Sequence, residues 1–474
     1  MLFSLNRFSL SKSTLSNVII MSTVTTLISS CGFMSGEKSE STIKNKLEEQ
    51  TAITAAQWAT KADASDIEVN WLESFNDSRL RALVSEAQAN NRNLLAAAAS
   101  VESAQALAKQ AGATLLPNVG LSLDGGRSGS RDGDIAPIDS RGIGLQASWE
   151  VDLWGRIRSG EQAAANSAQA AQADFRYTQH SLAATTAKAY FSLVESNNQI
   201  KVARERLAIL DETSRIVNVQ YENGIVSAQD VSLTRSDSAS AREQLITLEG
   251  AQRNAARALE VLLGRYPSAE LTVASLLPAP PPAPPAGIPS ALLERRPDLV
   301  AAERRVAAAF NKREATKAAR LPSLSLTGSV GGSSSSLADV LDPANTVWRL
   351  GTNLLVSIFD GGSKQAQIDA ASAEQKQALL TYGQSALTAF SEVETALDQG
   401  IVLTQRQREL ATVEKEAQEA YRIASLRYQE GEINLLDVLA IQQRLISAKT
   451  SLTTLQRLQL DQRTDLYMAL GGRW

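Results

Sequence analysis

The chain has 474 residues, enough for more than one domain, and carries 51 acidic against 47 basic side chains for a formal charge of -4. That near balance offers no basic face of the kind nucleic acid selects. One histidine and one cysteine leave almost nothing from which to build a metal site or a histidine-based triad. Neither enzymatic chemistry nor a cofactor is expected, beyond a covalent lipid considered next.

Arg7 and Lys12 precede a mostly apolar run from Leu15 to Ile28, the pattern of an export signal. The run ends Ile28-Ser29-Ser30-Cys31-Gly32: an aliphatic residue, two small ones, then the single cysteine. This order resembles a bacterial lipobox, which implies a signal peptide over 1–30 and acylation of Cys31. Gly32 stands where an aspartate would signal retention in the inner membrane. Residues 31–70 are expected to form a lipidated tether, flexible from Ser35 to about Lys61, where Lys and Glu are interspersed with polar residues. After residue 31 no apolar run approaches the roughly 20 residues of a spanning helix.

Trp71-Leu72-Glu73-Ser74-Phe75-Asn76-Asp77 opens a first repeat, assigned to 71–277. Asp77 or Ser78 is the expected cap of an Ala-rich helix that runs to Ala113, and Leu116-Pro117 ends it. The period then changes. Val119, Leu121 and Leu123 alternate with polar or small residues, as do Ile143, Leu145, Ala147, Trp149 and Val151 after a Gly/Ser/Asp loop. Strict period two predicts a β-hairpin near 116–153 with one apolar and one polar face. Trp149 and Trp154 at its end suit a membrane-interface belt and a core edge equally well. From Glu161 to Asn223 there is neither Pro nor Gly, which predicts a helix of about 95 Å. His180, inside it, is expected on its exposed side and not as a metal ligand. Past Gly224, Val231, Thr234, Ser238, Ala241, Leu245, Leu248, Ala255, Leu259 and Leu262 make a coiled-coil seam.

Residues 278–289 are proline-rich and predict an extended connector. A second repeat follows over 290–474. Arg295-Arg296-Pro297-Asp298 opens its first helix, Leu321-Pro322 ends it, and a hairpin is predicted near 321–359, with Trp348 in its second strand. A long helix then runs to Glu430. Tyr221, Gly224, Asp230 and Val231 recur 207 positions later as Tyr428, Gly431, Asp437 and Val438, so each repeat holds a helical hairpin turned at a glycine.

Each repeat thus supplies two strands of about ten residues, the length that spans a bilayer. Four strands cannot close a barrel. An open edge in lipid would leave backbone groups without partners, each costing several kcal/mol. Oligomerisation is the expected remedy, and a trimer would supply twelve strands, apolar outside and polar inside.

The order and spacing of these motifs, with the terminal Leu470-Gly471-Gly472-Arg473-Trp474, resemble the TolC-type outer membrane efflux proteins, in the lipoprotein branch that serves RND transporters. The resemblance implies a mainly α protein with transmembrane β-strands, internally duplicated: a long α-helical barrel plus a twelve-stranded β-barrel, four strands per protomer, completed by a homotrimer. It implies an outer membrane location with a long periplasmic extension, and partnership with a periplasmic adaptor and an inner-membrane RND-type transporter. It places Leu436, Asp437 and Ala440 at a periplasmic aperture, Ala440 standing where many relatives carry a second aspartate. Gly224, Asp230 and Gly431 fall at hairpin tips that meet the adaptor, and Trp149, Trp154 and Trp348 at the lipid interface. Helix capping by Asp437, as by Asp230, is the competing reading of those carboxylates. The competing function is a periplasmic or surface coiled-coil structural or adhesion lipoprotein, which has no use for paired ten-residue strands.

Overall fold

Ala-rich sequence without proline over more than sixty residues gives helix, and it does so twice. A computed structural model describes residues 41–51, 55–60, 65, 71–129 and 137–472; Cys31 and the terminal Arg473-Trp474 lie outside these. The helices are α1 (41–51), α2 (Trp71–Ser74), α3 (Ser78–Asn90), α4 (Arg92–Ala113), α5 (Arg156–Glu222), α6 (Ala228–Leu262), α7 (Leu292–Arg295), α8 (Pro297–Ala318), α9 (Ser363–Gln429) and α10 (Leu435–Ala469). The strands are β1 (Asn118–Ser128), β2 (Ile138–Val151), β3 (Ser323–Ser334) and β4 (Thr346–Leu355). Both α5 and α9 have 67 residues, each about 100 Å long at 1.5 Å per residue.

Helix starts and stops follow local chemistry. Asp77 caps α3, its carboxylate accepting from the Arg79 and Leu80 amides at 2.9 and 3.0 Å. At the sheet-to-helix junctions Asp152 accepts from the amides of Ile157 and Arg158, and Asp360 from those of Gly362 and Lys364. The long helices end in Schellman turns. Ile225 N–H donates to Gln220 and Glu432 N–H to Arg427, while Gly224 and Gly431 hold φ of 72° and 78°. Only glycine enters that region without a steric penalty.

Two compact units form, and neither coincides with a sequence repeat. Of the described residues, one unites 41–51, 103–129, 137–170 and 302–383; the other unites 55–60, 65, 71–102, 171–301 and 384–472. Corresponding pieces of both repeats therefore share each unit. The first unit carries the antiparallel sheet, ordered β1-β2-β3-β4, and a small core of Val306, Phe310 and Tyr382. The second is helical. One of its cores joins Trp71, Phe75, Tyr190, Phe191 and Leu259; another joins Leu292, Leu299, Val393, Leu466 and Leu470.

Two expectations need correction. The N-terminal segment is not a free tether throughout: α1 sets Ile43 and Leu47 against the Val306–Phe310–Tyr382 core, and Trp58 packs against the cluster containing Val393. Its few apolar residues find partners far along the chain, which a polar composition conceals. His180 is half-buried within α5 and has interactions of its own, so it is not an exposed surface residue.

Candidate functional site: the sheet face and the hairpin tips

The strand register gathers the alternating apolar residues on one face. Leu121 pairs with Leu145, Leu145 with Val330, and Val330 with Trp348. Two rows away Trp149 pairs with Leu326, and Val151 with Leu324, which pairs with Leu354. Val119, Leu121, Leu123, Leu350 and Leu354 are all exposed there. The other face carries Ser122, Gln146, Ser148, Glu150, Ser325, Thr327, Ser329, Arg349 and Asn353, with Gln146 donating to the Ser122 hydroxyl at 2.9 Å. A face this apolar on a sheet 10–14 residues deep fits a lipid-facing wall, since membrane strands alternate apolar-out and polar-in. The fourth strand forms where the hairpin near 321–359 predicts it but ends sooner: β4 stops at Leu355, leaving Val356 and Ile358 beyond it.

On the polar face Gly144 lies directly opposite Gly331. A Cβ on Gly331 would stand 2.2 Å from the Ile143 carbonyl oxygen and 2.5 Å from the Gly144 Cα. The backbones approach closely because neither residue has a side chain. The pair carries no hydropathy signal and could have been found only as two glycines inside alternating strands.

Trp149 and Trp348 share the apolar face on rows four residues apart along β3, Trp149 opposite Leu326 and Trp348 opposite Val330, with Trp149 nearer the helices. Trp149 donates its indole N–H to the Leu115 carbonyl at 2.9 Å, and Trp154 donates to Pro322 at 2.7 Å. Both rings are fixed while exposed; Trp348 is 73 % exposed. An aromatic body with a satisfied polar edge suits a boundary between lipid and water.

At the other functional locus the two tips share a core. Val217 and Val231 of the first hairpin are buried with Leu435 of the second, and Tyr428 packs beside them. The Tyr428 hydroxyl donates to Gln220 Oε1 at 3.3 Å, a cross-repeat contact that sequence spacing did not single out. Leu436, Asp437 and Ala440 are exposed along one face of α10, opposite buried Leu435 and Val438.

The two duplicated aspartates differ. Neither is an N-cap: Ser227 and Asn434 are, and each aspartate sits three residues further on. Asp230 completes a capping box, accepting from the Ser227 amide at 3.0 Å and hydroxyl at 2.7 Å. These bonds, the hydroxyl's first, hold its carboxyl below the usual range. Asp437 contributes only its backbone amide, which donates to Asn434 Oδ1 at 2.9 Å; its carboxylate has no partner among the described residues. The capping competitor therefore describes Asp230 and fails for Asp437. Among the described residues there is no group of three or more His, Cys, Asp or Glu that could hold a metal ion.

The sequence profile described as "Outer membrane efflux protein" matches twice, over residues 83–265 and 288–472. The pyoverdine export outer membrane protein OpmQ of Pseudomonas aeruginosa is 35% identical over 443 residues, covering 88% of this chain and 91% of its own. The cation efflux system protein CusC of Escherichia coli is 30% identical over 414 residues, covering 85% and 88%. Among solved structures, the outer-membrane channel OprN superposes with a TM-score of 0.83 at 29% identity, over 89% of this chain and 97% of its own. A CusC structure gives 0.79 at 28%, over 88% and 98%. The architecture, mainly α, internally duplicated and with four barrel strands per protomer, is that of TolC-type channels, whose twelve-stranded barrel a trimer completes. The chain belongs to the outer membrane efflux protein family, and it is an outer membrane channel of an efflux system.

Proposed function

We propose that this channel is a homotrimer forming the outer membrane stage of a tripartite efflux assembly. It passively conducts substrate delivered by an inner-membrane RND-type transporter through a periplasmic adaptor. The observation that carries this reading is the sheet. It has one continuous apolar face and, among the described residues, no strand paired to the outer edge of β1 or of β4. Lipid tolerates no such edges, so three copies joined edge to edge supply the closure.

In this reading residues 1–30 are a signal peptide, Cys31 carries the lipid, and the repeats span 71–277 and 290–474 around the 278–289 connector. Trp149, Trp154 and Trp348 lie at the lipid boundaries. Leu436, Asp437 and Ala440 line the aperture, where three Asp437 carboxylates concentrate negative potential and favour cations. Gly224, Asp230 and Gly431, with their flanks, meet the adaptor. No catalytic step is involved, and the coiled-coil adhesin gives no reason for the apolar sheet face.

The test is reconstitution of the purified, detergent-extracted protein into planar bilayers, with cross-linking to count protomers. Cation-selective conductance from a trimer is expected. A water-soluble monomer without conductance would end this reading.

A further inference from the structure

Residues 58–60 dock on the second repeat through a built set of contacts. The Trp58 indole N–H is shared between the carbonyls of Ala286, at 3.2 Å, and Gly287, at 3.1 Å, both in the inter-repeat connector. The Trp58 ring meets Phe390 of α9 edge-on at 6.3 Å. One turn along α9, the Glu394 carboxylate spans two successive backbone amides, Ala59 at 2.6 Å and Thr60 at 3.0 Å. Burial pushes this carboxyl up, but the Ala59 amide, the Thr60 hydroxyl and the Thr60 amide together more than offset it and hold it below the usual range. The connector residue beneath is well covered: Ala286 is 2 % exposed.

Among the described residues the first repeat shows no such dock. The positions 207 residues before Phe390 and Glu394 are Ala183 and Ala187, both fully buried in one cluster with Trp71 and Phe75. On α5 this stretch is buried in an apolar cluster that contains Trp71. On α9 the N-terminal segment is held by a carboxylate and by connector carbonyls, groups that hold backbone rather than merely fill space.

We propose that residues 58–60 act as an intramolecular clamp that pins the Ala286–Gly287 connector onto α9 and so fixes the geometry in which the protomer assembles. Released from it, those two carbonyls lose their donor and the irregular connector keeps only the packing of its own few apolar residues. Because the same segment leads back to Cys31, the clamp also ties the lipid-bearing end of the chain to the second repeat, a consequence that rests on the lipoprotein reading.

The test uses the full chain in detergent with two variants, Trp58→Ala and the near-isosteric Glu394→Gln. Hydrogen exchange is followed at residues 286–296. Both variants are expected to exchange there at least about tenfold faster, a loss of about 1.4 kcal/mol, with the helical circular dichroism unchanged. Adding a synthetic peptide of residues 55–61 to Trp58→Ala is expected to restore protection, which a general packing defect would not allow. Exchange at wild-type rates in both variants overturns the clamp, as does faster exchange spread over all helices without peptide rescue. The fraction of SDS-resistant trimer is read separately. Unprotected connector with intact trimer confines the clamp to the protomer and removes its assembly role. Absence of trimer in the wild type counts against the trimeric channel, not against the clamp.

Discussion

Asn91 and Arg296 hold equivalent places in the two repeats, 205 positions apart, and each bonds the carbonyl that ends the helix stacked before it. Asn91 Nδ2 donates to Leu262 at 2.9 Å, at the end of α6; Arg296 Nη1 donates to Ala469 at 3.3 Å, at the end of α10. Leu262 and Ala469 are themselves 207 positions apart. Asn91 finishes its task alone, since its Oδ1 also accepts from the amides of Asn93 and Leu94. Arg296 is a buried cation, 4 % exposed, gripped by Asp298 in two bonds at 3.0 and 2.8 Å and by Glu392 at 2.6 Å.

Removing that cation leaves two carboxylates beside a carbonyl with no donor. Arg296→Ala is expected to cost about 3–5 kcal/mol, seen as a lower melting temperature in detergent. Arg296→Lys should recover little, because a lysine cannot bridge both oxygens of Asp298 while reaching Glu392. Asn91→Ala, which breaks neutral bonds, is expected to cost only about 1–2 kcal/mol. Equal losses at the two sites would show that the charge adds nothing to the junction.

The close approach of Gly331 to Gly144 gives a second prediction. Gly331→Val puts a side chain into the Ile143 carbonyl, and backbone cannot step aside as a flexible side chain can. Failure of the chain to reach a heat-modifiable, membrane-inserted state is expected. Gly125→Ala, where a Cβ meets nothing within 4 Å, is the matched control and should assemble. Normal insertion of Gly331→Val would mean the close approach is not required.

For the tips, Asp437→Lys is expected to reverse or abolish cation selectivity in single-channel recording, whereas Asp230→Asn should leave selectivity intact. The latter loses its capping box instead. Asp230 has a depressed pKa, so its stabilising effect is present above the ordinary carboxylate range and is lost as pH falls through its lowered value. Unchanged selectivity in Asp437→Lys would remove this residue from the aperture.

What the sequence disclosed depended on how local each signal was. Period-two alternation in β2 and the glycine tips are written in consecutive residues, and their recurrence about 207 positions on exposed the duplication. Three features were less legible, two of them because their partners are remote. Ile43 and Leu47 stand four apart on a single helical face, too short a pattern to outweigh Lys and Glu around them, and their partners are some 260–340 residues away. At the second tip Asn434 and Asp437 are equally good cap residues by type, and only the structure separates them: Asn434 caps α10, while in the first repeat Ser227 and Asp230 share that work. The division into compact units cuts across both repeats because strands pair across the repeat boundary, β2 of the first with β3 of the second. Such pairing leaves no trace in either repeat read alone.

Asp461 provides a prediction in pH. It lies on α10, with Arg457 and Asp465 on the same helix and Lys188 and Glu195 on α5 around it. Arg457 is shared, bonding Glu195 at 2.5 Å as well as Asp461, and Lys188 pairs with Asp465. Three carboxylates therefore divide two cations, and burial pushes the Asp461 carboxyl up to about 6 against the pull of Arg457 and Lys188. A raised carboxyl pKa means the folded state holds a proton that the unfolded state has released, between about pH 4 and 6. Stability attributable to this residue is then greatest below that window and declines as pH rises through about 6, by on the order of 3 kcal/mol in all. Asp461→Asn keeps the shape without the charge. It is expected to melt higher than wild type at pH 7, to match it near pH 4, and to flatten the slope between. A variant that melts lower than wild type at pH 7 would show that the bond from Arg457 outweighs burial and that the ionised form is the one the fold prefers.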